Sequence, residues 1–235
     1  MSAPWSSVVE GDAADLERRF GGLARLYGAE GARRIRGAHV AVVGIGGVGS
    51  WVAEALARSG VAALTLIDLD QVAESNVNRQ VHALSGTLGQ AKVTAMRERI
   101  LQIHPGCQVH EVEEFVEPGN WPALLPAPVH AVIDACDQMA AKVAMAAWAL
   151  HGGACFMAVG AAGGKCHPER VEIADLAEVT HDPLMAQLRY RLRRQHGAPT
   201  QGKRIGVPVV FSHEAVAMPE ACESPAERDG TLNCH

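Results

Sequence analysis

The sequence predicts an α/β protein: a doubly wound, mainly parallel sheet with a less regular C-terminal third. Three observations carry this expectation. Residues 39–70 read as strand, glycine turn, helix, strand and acid, in the order HVAVV, GIGGVG, SWVAEALAR, LTLI and Asp68. Short apolar runs then alternate with helical patterns as far as residue 159, the signature of strands joined by crossover helices. The run VHAVID over 129–134 is almost continuously apolar, as a strand buried on both faces requires. Together these make the sheet Rossmann-like.

Each element has a local reason. Residues 12–36 read as helical, with Leu16, Phe20, Leu23, Leu26 and Ile35 apolar and breaks at Gly21, Gly22 and Gly28. Residues 40–43, 50–58 and 64–67 are the strand, helix and strand of the first unit. A helix over 89–103 places Val93, Met96 and Ile100 on one face and stops at His104-Pro105-Gly106. A strand over 108–112 follows, then a proline-rich stretch over 117–128 around a small helical piece at 121–125. Next come a strand over 129–134, an alanine-rich helix over 139–151 and a strand over 155–159. After the turn GAAGG at 160–164, a strand is expected over 169–173. A helix over 182–194 is capped by Asp182 with Pro183 in first position. A loop over 195–208 leads to a strand over 208–212 and a polar tail over 217–235. Residues 1–235 read as one domain, with a nucleotide-binding core at about 38–160 and a substrate-facing part at about 161–235.

Composition narrows the class. The chain is 48% hydrophobic and 20% charged with a net charge of −5, which excludes a disordered chain and a globally basic nucleic-acid binder. The six cysteines form no C-x-x-C pair, which argues against structural zinc. Scattered cysteines without a signal peptide read as reduced and cytoplasmic. No run approaches the roughly eighteen apolar residues that span a bilayer, so no membrane partner is expected. The eleven histidines show no H-x-x-x-H spacing on a predicted helix, so no metal cage is assigned.

Gly44, Gly46, Gly47 and Gly49 allow the backbone to approach a phosphate chain, and the following helix offers its N-terminus to the charge. Asp68, at the tip of the next strand, is placed for a ribose hydroxyl. On the glycines alone NAD or FAD is favoured, with a bare tight turn as the plain alternative. The residues beyond change the ligand. Asp70 is followed by ESNVNRQ, containing Asn76, Arg79 and Gln80, and then by GQAK, containing Lys92. Arg79 and Lys92 supply the cations a triphosphate needs. Asp137, closing DACD, is placed to hold magnesium or orient the α-phosphate. Singly, each has a plain structural alternative: Arg79 pairing with Glu74, Lys92 solvated, Asp137 capping the next helix. Their joint occurrence around one glycine loop favours ATP.

GIGGVGS, LIDLD, ESNVNRQ, GQAK and DACD resemble the adenylation domain of the ubiquitin-activating-enzyme superfamily. RRFGGLARLYG, NRQVHAL, GAAGGK, HDPLMAQLR and VVFSHEA look like its tRNA threonylcarbamoyladenosine dehydratase branch, over nearly the whole chain. The resemblance implies an ATP-dependent activation of the threonylcarbamoyl carboxylate on the adenosine beside the tRNA anticodon. Cyclisation to an oxazolone-type ring follows, with net loss of water. It implies that the four glycines form the phosphate loop and that Asp68 is the ribose ligand, with Asp70 and Gln80 as further nucleotide-binding residues. Asn76 and Arg79 would be the polar pair at the phosphates, Lys92 the second cation and Asp137 the acid near magnesium, with Arg79, Lys92 and Asp137 as the catalytic residues. It also implies a homodimer whose partner lends an N-terminal arginine, here Arg25 with Arg19 as the alternative. A sulfur-transfer partner, of cysteine desulfurase or SufE-like kind, is the further expectation, and Cys234 matches a family cysteine as a candidate reactive thiol. The family continues beyond Asn233-Cys234 with a glycine-rich segment and an apolar helix, so the chain is expected to be shortened there or to lack that element.

Arg189, Arg191, Arg193, Arg194, Lys203 and Arg204 form the one locally basic stretch and are the expected tRNA-facing patch. A solvated helix face is the alternative. Two other functions compete with the dehydratase: an adenylyltransferase for a ubiquitin-like or sulfur-carrier protein, and an NAD-binding redox or regulatory domain. The missing zinc cysteines count against the first, and Arg79 with Lys92 against the second.

Overall fold

The computed structural model describes residues 15–200 and 202–217. Its strands are β1 (His39–Val43), β2 (Ala63–Ile67), β3 (Gln108–Val112), β4 (Ala131–Asp134), β5 (Cys155–Val159), β6 (Val171–Asp175) and β7 (Pro208–Ser212). They form one seven-stranded sheet in the order β3-β2-β1-β4-β5-β7-β6. All neighbours are parallel except β6, which runs antiparallel to β7. From β1 the chain winds outward to β2 and β3, then returns to the other side for β4 and β5. The order therefore reverses between β1 and β4, and a crevice opens there at the carboxyl ends of the strands.

The helices are α1 (Leu16–Phe20), α2 (Gly22–Arg36), α3 (Gly49–Arg58), α4 (Lys92–Ile103), α5 (Met139–Leu150) and α6 (Pro183–Gln195). Side-chain alternation along β1 sorts the core into two layers. Val40 and Val42 pack with Ala53, Ala57, Met96 and Ile100 of α3 and α4. Ala41 and Val43 share the opposite layer with Met145 and Ala146 of α5 and Leu188 and Leu192 of α6. Both faces are covered, which is why β1 and β2 are buried at every position.

Four departures from expectation have physical reasons. The helical stretch 12–36 divides where the Gly21 N–H caps α1 at Glu17 O, and α2 bends at Gly28, whose φ is +72°. Helix α4 starts at Lys92, because Gly89 at φ +80° and a bridge between Gln71 and Ala91 hold the chain before it in an extended course. The helical piece at 121–125 is a run of turns in which Trp121 packs edge-on against Trp148 at 5.4 Å. The strand expected over 169–173 lies two residues later and closes the sheet's antiparallel edge.

Candidate nucleotide site

The glycine loop expected to hold phosphate is built where two chain crossings leave no room for side chains. Gly44 has φ +85°, and a Cβ there would lie 2.8 Å from the Cys136 backbone. A Cβ on Gly49 would fall 1.7 Å from Gly44 O, so α3 enters directly beneath the loop. At Gly46 a Cβ would meet nothing within 4 Å. That side of the loop is open, and no side chain caps α3 at Val48, so its N-terminal N–H groups are left to an anion or water.

Asp68 ends β2 and is buried. One carboxylate oxygen accepts the Ile45 N–H at 2.6 Å, and the other accepts the Asp70 N–H at 2.9 Å. The acid thus holds the glycine loop against its own strand while retaining lone pairs for a hydroxyl. Burial raises its pKa, partly offset by the Lys92 charge and by these two N–H groups. Lys92, the first residue of α4, places its ammonium 2.7 Å from Asp70, and its side chain is only 8% exposed. It is not the solvated helix residue of the plain alternative.

Asn76 is buried and shapes the turn that presents Arg79. Its Oδ1 accepts the Ala73 N–H at 3.0 Å, and its carbonyl accepts the N–H groups of Arg79 and Gln80. Arg79 donates to Ser75 O and to Asn78 Oδ1, and its aliphatic arm lies over Gly47. Gln80 is buried with Oε1 lacking a hydrogen bond among the described residues. Asp137 is exposed beyond β4, and Gln138, not Asp137, stands at the N-cap of α5 with no side-chain bond. Its carboxylate is therefore not consumed as a helix cap. Among the described residues no three His, Cys, Asp or Glu side chains converge on a metal position. Magnesium here would rely on Asp137, phosphate oxygens and water, a usual donor set for that ion.

Some sequence expectations fall elsewhere. Arg25 is exposed on α2. The chain just before it is fastened at the opposite, amino edge of the sheet: Arg19 donates to Ile103 O, and Phe20 packs on His104. Arg189 turns inward, donating to Leu176 O and Val179 O, because the ends of these turns offer carbonyls that helix α6 faces. It therefore leaves the surface patch. Arg193 donates to Pro199 O, and Arg194 to the Tyr190 hydroxyl. Arg191 is half-buried, whereas Lys203 and Arg204 are exposed. Cys234 lies outside the described residues.

Other residues of the site were not read from the sequence. Lys142 and Asp134 are both wholly buried and 3.1 Å apart, joining α5 to the tip of β4, and Lys142 also donates to Val159 O at the tip of β5. The Cys136 thiol donates to Asp134, and burial pushes its pKa well up, so it is held as a thiol. His82 is buried beside Gln80, and burial with the nearby Lys92 and Arg99 charges lowers its pKa to about 4. Trp51 donates to Arg79 O at 2.9 Å, supporting the arginine from α3. The motifs GAAGGK and SHEA meet at the same edge. Glu214 accepts the N–H groups of Cys166 and His167, which hold its pKa down, while Lys165 donates to Ser212 O and Glu214 O. A lysine in an alanine-rich helix opposite a strand-terminal acid was the available signal for the Asp134–Lys142 pair.

The model of the ThiF family matches residues 19–196. The chain is 44% identical to the tRNA threonylcarbamoyladenosine dehydratase of Escherichia coli, covering 97% of this chain and 87% of that protein. It is 41% identical to the tRNA threonylcarbamoyladenosine dehydratase of Haemophilus influenzae, over 94% of this chain and 84% of that one. The crystal structure of the Escherichia coli dehydratase in complex with ATP superposes with a TM-score of 0.84 at 44% identity, covering 89% of this chain and 87% of that one.

Proposed function

The chain belongs to the ThiF family, and from that premise we propose that it dehydrates threonylcarbamoyladenosine in tRNA at the expense of ATP. The carboxylate of the threonyl group attacks the α-phosphate, pyrophosphate leaves, and the acyl-adenylate then closes on the ureido group with release of AMP. The observation that supports this reading is Arg79 lying over Gly47, Lys92 paired with Asp70, and the chain just before Asp137 pressed against Gly44, at the reversal of strand order. Arg79 and Lys92 meet the phosphates, Asp68 and Asp70 the ribose end, and Asn76 and Gln80 form the wall between. Magnesium, held by Asp137 and the phosphates, supplies charge neutralisation when bound.

The test is to incubate the chain with ATP and tRNA bearing the linear nucleoside, following AMP release and nucleoside mass. Loss of one water from the nucleoside supports the reading. AMP release driven only by a carrier protein ending in Gly-Gly would move the assignment to a carrier-activating adenylyltransferase. Calorimetric titration should also show ATP binding with magnesium more tightly than NAD, because two cations and an acid suit a triphosphate–metal complex. Tighter binding of NAD would overturn the ATP assignment.

For the homodimer, Arg19 is held on Ile103 O at the amino edge of the sheet, and Arg25 is exposed on α2, as an arginine lent to a second copy's site would be. Exposed Trp51, Val77, Leu84 and Leu88 near the site fit the same arrangement. On this reading the enzyme works in the cytoplasm, with its tRNA substrate. Among the described residues no helix is long and apolar enough to cross a membrane.

The C-terminal part, 161–235, carries the RNA-facing patch, reduced to Arg191, Arg193, Arg194, Lys203 and Arg204. Replacing Arg191, Arg193 and Arg194 together by Ala should weaken tRNA binding and flatten its salt dependence. Each phosphate that is no longer neutralised takes roughly 0.7–0.9 off the slope of log affinity against log salt. ATP affinity should hold. An unchanged salt slope would make the stretch a solvated helix face.

A further inference from the structure

We propose that His181 takes up the proton released in ring closure and passes it along Thr180 and His213 toward Glu172, making the carboxyl edge beyond β5 a second catalytic station. This rests on the function proposed above. Ring closure joins the ureido oxygen to the activated carbonyl carbon and breaks the acyl–phosphate bond. AMP leaves with the electron pair, and one ureido N–H proton must go to a base. Among the described residues near the phosphate loop, Asp68 is engaged by two N–H groups, Asp70 by Lys92, Asp137 is assigned to magnesium, and His82 is buried.

His181 stands out on backbone grounds. It is the one non-glycine residue at positive φ among the described residues, at 56°. Such a conformation is unfavourable for a non-glycine residue and persists only where neighbours enforce it. The neighbours are present: Lys165 donates to His181 O at 3.1 Å. Asp182 accepts the Ala161 and Met185 N–H groups, which fixes the next residue to both the β5 exit and α6. The GAAGGK and HDP segments are thereby spent on holding one imidazole in place.

The imidazole leads somewhere. His181 Nδ1 lies 3.2 Å from Thr180 Oγ1, which lies 3.4 Å from His213 Nδ1. His213 Nε2 meets Glu172, and its ring packs edge-on against Phe211 at 4.9 Å. A hydroxyl between two ring nitrogens can donate to one while accepting from the other. His181 Nε2 makes no hydrogen bond among the described residues, and the ring lines a groove of about 320 Å³ with Val179, Pro183, Ala186 and Val216. Asp182 and Arg189 also line this groove, so it pairs apolar walls with charged groups, as a site for an unstacked base and its side group does. The sheet order puts the β5 exit two strands from the phosphate loop, roughly 10 Å away. The α-phosphate, the acyl group on it and the ureido group beyond together span part of that spacing, so the relay requires the nucleoside to extend from the loop toward this groove.

The test separates the two half-reactions in the full chain, using ATP and tRNA carrying the linear nucleoside. Substrate-dependent exchange of pyrophosphate into ATP reads adenylation, and nucleoside mass reads ring closure. His181→Asn keeps a residue that tolerates positive φ. It should leave exchange within about twofold and slow ring closure by about a hundredfold, the usual worth of a positioned base. His213→Gln, which does not touch the strained position, should slow ring closure less and in the same selective way. Exchange and ring closure falling together in folded His213→Gln, or ring closure unchanged in His181→Asn, would overturn the relay. A wild-type chain giving neither exchange nor ring closure overturns the reading of function itself, and the relay with it.

Discussion

Arg79→Ala should lower AMP formation by about two to three orders of magnitude while the protein stays folded. A donor aimed at charge that develops on phosphate in the transition state is typically worth about 10²–10³ in rate. The local structure explains why the fold should survive. The turn that carries Arg79 is closed by Asn76, whose side chain and carbonyl make the bonds that define it. The Arg79 guanidinium adds bonds to Ser75 O and Asn78 Oδ1, both on exposed residues of the same turn. Trp51 binds the backbone of residue 79, a bond that alanine keeps. The measurement is AMP release at saturating ATP and tRNA, beside a thermal melt of the same preparation. A variant keeping more than a tenth of the parent rate would make Arg79 a structural residue of the turn.

The nucleotide half was legible because its physics is local. Continuous apolar runs give β1 and β2, and the acid at residue 68 follows from where the second run stops. The glycine pattern needed only the strand before it and the helix after it to become a tight strand-to-helix loop with an open side. Gly49 shows how rigid that logic is, since any Cβ there would collide with Gly44 O. The C-terminal third was less legible because its contacts are long-range. Nothing near Glu214 in sequence says that it binds the N–H groups of residues 166 and 167. Nothing in RYRLRR says that Arg189 turns inward to two carbonyls while its neighbours remain at the surface. A basic run marks charge, and only packing decides which of its members face solvent. The same holds for HDP: the cap and the proline announce a helix start, whereas the strain on His181 is set by Lys165 and the β5 exit.

Lys142→Met should cost about 3–5 kcal/mol of stability, because it leaves the Asp134 carboxylate buried without its counter-ion. Both side chains are fully buried, so water cannot replace the missing partner. The Asp134 oxygen nearest Lys142 has no well-aligned hydrogen bond among the described residues, so the ion pair is its main compensation. Lys142 also satisfies Val159 O, tying the tips of β4 and β5 through α5. Adding Asp134→Asn to Lys142→Met should recover most of the loss. The neutral amide still accepts from the Cys136 thiol at the position where Asp134 does now, and no charge is stranded. Denaturant titration of the parent, single and double variants closes the cycle. A single variant within about 1 kcal/mol of the parent would mean that Asp134 does not carry a charge dependent on Lys142. The pair also bears on chemistry, because Gly44 presses against the chain at Cys136, one residue before Asp137. Loosening the β4 tip removes the wall of the phosphate loop together with the support of the proposed magnesium ligand. The double variant should therefore regain stability more completely than ATP affinity, since methionine cannot hold Val159 O.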